Sequence, residues 1–80
     1  MSLTPAQCRA ARALIPWTQA DLSKVSKVAT KTIADFEADK RVPYARTVDD
    51  IRAALESAGV EFIAENGGGA GVRLRKPGRP

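Results

Sequence analysis

Few side chains in this chain could carry chemistry. Its 80 residues include no histidine and a single cysteine, Cys8. A zinc site needs several Cys, His or acidic ligands converging on one point, and no such spacing is present. Ser-His-Asp and Cys-His engines are absent for want of the base. A lone cysteine closes no internal disulfide, so the expected compartment is a reducing one. The glycine-rich stretch at residues 66–71 has the composition of a phosphate cradle. It lacks the following Lys-Ser/Thr and helix of a P-loop, and reads as a flexible reversal. No enzymatic constellation, cofactor or small-molecule ligand is implied. The chemistry that remains is charge and hydrogen bonding.

The formal charge is +4 and it is unevenly spread. Arg73, Arg75, Lys76 and Arg79 crowd the last ten residues with no acid among them, while the rest is balanced. Within that balance, residues 24–46 hold Lys24, Lys27, Lys31, Lys40, Arg41 and Arg46 against Asp35, Glu37 and Asp39. Residues 47–65 hold Arg52 against Asp49, Asp50, Glu56, Glu61 and Glu65. A basic middle beside an acidic segment suggests one face for a polyanion and another for a different contact. The simpler alternative is two ordinary solvated faces.

These charges must be positioned by short elements. Thr4-Pro5-Ala6-Gln7 is a capping box with proline at the first helical position, and Pro16 stops the helix it opens. Ala11, Leu14 and Ile15 form its expected inner stripe. Thr18-Gln19-Ala20-Asp21 opens a second short helix, ending near Val25, with Trp17 and Leu22 placed as a hydrophobic staple. Ser26-Lys27-Val28 is a tight connection. A third helix is expected over residues 30–38, with Ile33 and Phe36 inward. Residues 39–43 form a loop, and Thr47-Val48-Asp49-Asp50 starts a fourth helix with Val48, Ile51 and Leu55 inward. Gly59 suits a left-handed cap. Beyond it Val60, Phe62 and Ala64 alternate with Glu61, Ile63 and Glu65, and Val72 and Leu74 alternate with Arg73 and Arg75, so the period becomes that of two strands. The expected architecture is mainly α: a four-helix domain over residues 1–59, a C-terminal β-hairpin over 60–76, and a disordered tail over 77–80.

Two short helices joined by a tight turn inside a helical cluster form a helix-turn-helix pattern. Trp17-Thr18-Gln19-Ala20-Asp21-Leu22, Val28, Thr32-Ile33-Ala34-Asp35-Phe36-Glu37 and Arg41-Val42-Pro43 resemble the Cro-type (XRE), phage-repressor-like helix-turn-helix family over roughly residues 4–58. The chain departs from that family at three positions. Lys27 stands where glycine is usual in the turn, Ala29 where Ser or Thr caps the third helix, and Asp39 where glycine follows it. The resemblance implies a double-stranded DNA reader whose third helix enters the major groove while the second braces on the backbone.

Carried over by position, the base-reading residues are Ala29, Thr30, Lys31, Ala34 and Asp35. Lys31 could donate to guanine, Thr30 could donate, accept or touch a thymine methyl, and Asp35 could accept from a cytosine amine. The alternative for Asp35 is an i,i+4 pair with Lys31. Gln19, Lys40, Arg41 and Arg46 are the expected phosphate contacts. Trp17, Ile33 and Phe36 read as core rather than as stacking platforms, and Cys8 as a small packed residue.

One such unit spans few base pairs, so a homodimer on paired half-sites is expected. An isolated hairpin is marginal in water, and Val60, Phe62, Val72 and Leu74 need covering. Two chains joining hairpins into one sheet would do this. The alternative is that the hairpin folds back on its own first and fourth helices. There is no run of 18 apolar residues and no basic-then-apolar opening, which leads to the expectation of a cytoplasmic, nucleoid-associated regulator with no membrane contact. The combined expectation is a transcriptional regulator that represses by occluding a promoter. A rival from another class is a protein-interaction module, an anti-activator or antitoxin-like assembly factor, using the acidic segment around Asp49, Asp50 and Glu56.

Overall fold

The computed structural model describes residues 3–75. Thr4 accepts from the Gln7 N–H, and the Gln7 side chain accepts from the Thr4 N–H, both at 3.0 Å. This reciprocal box opens α1, Pro5–Leu14. Thr18 and Asp21 make the same exchange at 3.0 Å and open α2, Gln19–Ser26. The third helix, α3, runs Thr30–Glu37, and α4 runs Ala45–Ser57. Two strands follow, β1 (Val60–Ile63) and β2 (Gly71–Leu74), paired antiparallel with Val60 opposite Leu74 and Phe62 opposite Val72. Four helices and a C-terminal hairpin are the architecture expected from the sequence. The proposed tail at 77–80, like Lys76, lies outside the described residues. No helix among the described residues is long and apolar enough to cross a membrane.

The core joins Leu3, Cys8, Ala11, Leu22, Val28, Ile33, Phe36, Val48, Ile51, Ala54, Leu55 and Val60. Ile15, Trp17, Phe62 and Val72 are partly buried and pack against it. Two local expectations need correction. Of the expected stripe, Ala11 is buried and Ile15 packs on the core, but Leu14 is 38% exposed and Gln7 and Cys8 join Ala11 on the inner face of α1. The fourth helix begins at Ala45, two residues ahead of Thr47. Ala45 and Arg46 are good helix formers with no obstacle behind them but Pro43, so the helix extends back to it.

The hairpin lies on its own chain. β2 packs against α1 and β1 against α4. The Gln7 amide, having closed the α1 cap, donates to the Gly71 carbonyl at 3.0 Å. Val60 is fully buried in the core. It is therefore unavailable to a second subunit, which corrects its assignment as a dimer contact. Phe62 and Val72 spend part of their surface on the same core, and Leu74 remains 51% exposed.

Candidate nucleic-acid interface

The turn between α2 and α3 is held by its own chain. Lys27 adopts φ +65°, the left-handed geometry that glycine usually supplies. Any side chain there costs about 1 kcal/mol or more. Hydrogen bonds offset this: the Ser23 hydroxyl donates to the Val28 carbonyl at 2.6 Å, the Val28 N–H donates to the buried Ser26 hydroxyl at 3.2 Å, and the Lys27 N–H donates to the Ser23 carbonyl at 2.9 Å. Asp39, at φ +61°, likewise keeps the left-handed position after α3. There the Lys40 N–H donates to the Asp35 carbonyl at 2.8 Å and the Asp39 N–H to the Phe36 carbonyl at 3.0 Å, a Schellman closure. At both positions the backbone takes the geometry glycine would favour although the residue differs.

One buried carboxylate fixes where α3 sits. Glu37 is 3% exposed. Arg12 of α1 clasps it with two donors, Nε to Oε2 and Nη2 to Oε1, each at 2.7 Å. Gln19 Nε2 of α2 donates to Oε1 at 2.9 Å, and the Cys8 thiol donates to Oε2 at 3.0 Å. Arg9 also donates to the Glu37 backbone carbonyl. Burial pushes the Glu37 carboxyl up. Hydrogen bonds from Arg12, Cys8 and Gln19, with the Arg12 charge, outweigh it and hold the group below its ordinary value. Burial, then the Glu37 hydrogen bond and charge, push the Cys8 thiol up. Three helices thus meet on one side chain, and no buried side-chain nitrogen or oxygen among the described residues lacks a partner.

Sequence reasoning left Glu37 without a role. The available signal was its i,i+4 spacing from Ile33, which puts an acid on the buried face and demands a cation inside. The same contact qualifies the expectation for Gln19. One of its two amide hydrogens is committed to Glu37, so at most the other is left for an external acceptor.

Ala29, Thr30 and Lys31 stand exposed at the front of α3. Ala29 occupies the cap position without a side-chain bond, and Thr30 does not shift to replace it, so among the described residues no side-chain cap closes the start of α3. Ala34 and Asp35 are half-buried. Asp35 makes the i,i+4 ion pair with Lys31 at 3.3 Å, so its Oδ2 is already shared. Lys40, Arg41 and Arg46 are exposed on the loop after α3 and the first turn of α4. Among the described residues, no carboxylate pairs with any of these three. Between α3 and this loop runs an open groove of about 760 Å³, lined by Lys31, Thr32 and Asp35 on one side and Arg41, Tyr44 and Thr47 on the other.

The chain matches no protein-family model and no curated protein. Together, α3 and the loop present the hydrogen-bonding side chains of Thr30, Lys31 and Thr32 and the cations Lys40 and Arg41.

Proposed function

We propose that this chain is a sequence-specific double-stranded DNA-binding regulator, acting as a homodimer on paired half-sites and repressing by occlusion. The observation that carries the reading is one groove lined by Lys31 and Thr32 of an uncapped, exposed α3 and by Arg41 of the loop behind it, with the exposed cations Lys40 and Arg46 near Arg41 in the chain. In this reading α3 enters the major groove, with Thr30 and Lys31 meeting base edges. The loop cations, with the free amide hydrogen of Gln19, hold phosphates and set the register. Asp35 takes part only by loosening its pair with Lys31. Leu74 and the outer edge of β2 remain for a second subunit, while Val60 does not.

The test is duplex binding by fluorescence anisotropy across a salt series. If about four phosphates per subunit are neutralised, a dimer engages about eight, and the log–log slope is near about −7. Arg41→Ala weakens all sequences alike and makes the slope shallower by roughly two for the dimer. Lys31→Ala costs about 1–3 kcal/mol per half-site at one base position if it reads guanine. A slope near zero, as expected of a protein-interaction module, overturns the reading. Selection from a random duplex pool then gives the operator.

A further inference from the structure

The most exposed apolar side chains of the described chain lie beside the cations of the groove. Val42 is 92% exposed and Tyr44 is 86% exposed, on either side of Pro43. Both line the groove that Lys31 and Arg41 also line. Neither contributes to the core, and Tyr44 occupies the cap position of α4 without a side-chain bond there. Folding does not account for these two side chains. A free apolar patch beside the exposed Arg41 guanidinium matches a surface that alternates charged groups with apolar ones at close range. The DNA backbone is such a surface, with phosphates a few ångströms from the C–H faces of deoxyribose.

Resting on the DNA reading above, we infer that Val42 and Tyr44 pack against deoxyribose at the edge of the site, adding a salt-independent part of the affinity to the cationic grip. Pro43 holds the two side chains apart and limits the backbone freedom lost on binding. Arg41 takes the phosphate on one side of the sugar, and Arg46, on the first turn of α4, lies on the other side of Tyr44 in the chain. The strap thus meets the sugar–phosphate chain while α3 reads the groove, and it fixes depth of entry without reading sequence.

The distinguishing property is how the affinity loss varies with salt. A tyrosine ring that covers roughly 60 Å² of apolar surface contributes on the order of tenfold in binding. Tyr44→Ala and Val42→Ser are made in the full chain, beside Arg41→Ala, and titrated with a random-sequence duplex across a salt series. Both positions are solvent-exposed, and circular dichroism establishes that each variant keeps its helices. The expected result is a loss of about tenfold per subunit for Tyr44→Ala, so about a hundredfold for the dimer, and severalfold per subunit for Val42→Ser at every salt concentration, with the slope unchanged. Arg41→Ala changes the slope. If Tyr44→Ala and Val42→Ser bind as the unaltered chain does, or if their loss disappears at high salt, the strap is overturned and the DNA reading stands. If they change the sedimentation coefficient of the free protein and leave binding per subunit intact, the patch meets another protein chain and the inference is overturned. If the unaltered chain binds no duplex, the DNA reading falls and takes this one with it.

Discussion

Replacing Arg12 by methionine leaves most of the side-chain volume in place and removes both donors that clasp Glu37 at 2.7 Å. It also removes the bond from Arg12 Nη1 to the Trp17 carbonyl at 3.0 Å. The carboxylate stays 3% exposed, with only Gln19 and Cys8 as side-chain donors. Breaking a buried pair from one side costs about 3–5 kcal/mol. Arg12 itself is a fifth exposed, so water can reach the vacated position, and the expected loss is at the low end, about 3 kcal/mol. That is a large share of the roughly 5 kcal/mol a domain of this size commands.

The loss carries a pH signature. In the native chain the Glu37 carboxyl sits below its ordinary value, so its contribution is present above the unfolded value, about 4.3, and is lost as pH falls through the folded one. In Arg12→Met the burial remains while its largest opponent is gone, so the carboxyl rises and protonates on folding. The gap between the two proteins is therefore widest at about pH 7 and closes towards about pH 4. Urea unfolding followed by circular dichroism measures it directly. A gap under about 1 kcal/mol at neutral pH, or one that does not change with pH, refutes the reasoning. Adding Glu37→Met recovers much of the loss, because no unpaired charge is then buried.

Gln7→Leu removes one partner of the α1 capping box and the bond to the Gly71 carbonyl; it costs about 1–2 kcal/mol and speeds hydrogen exchange in β2 more than in α4. Cys8 is buried and its thiol is pushed up, so thiol reagents modify it only at the rate of unfolding; reaction at a free-thiol rate in the native protein contradicts this placement. Leu74→Asp, at an exposed position, leaves the fold intact and turns the proposed dimer into a monomer by sedimentation. A persistent dimer moves the subunit contact away from the hairpin. A chain ending after Gly59 loses the buried Val60 and the packing of Phe62 and Val72, so it unfolds instead of persisting as a helical monomer.

Local chemistry was enough to place most of the fold. The boxes at Thr4 and Thr18, the stop at Pro16, the cap at Gly59 and the change of period at Val60 are each set by residues a few positions apart, so the sequence alone determines them. The inward faces of α3 and α4 follow from helical spacing for the same reason. The start of α4 was misplaced because a box-like pattern at Thr47 competes with a helix that can extend back to Pro43. The exposed front of α3 and the loop cations were legible as candidates, since capping and charge are written residue by residue.

Contacts between residues distant in sequence were decided only by tertiary structure. Which face of α1 turns inward depends on what α3 and the hairpin bring against it, and that set Leu14 outside and Gln7 inside. The Arg12–Glu37–Gln19 cluster joins positions separated by up to 25 residues, so local spacing can place Glu37 on the buried face of α3 but cannot name the partners that reach it. The hairpin needed a cover, and sequence offered two: another copy or its own helices. Packing answered for the face that includes Val60, because folding the chain back buries that face without the entropy cost of bringing in a second molecule.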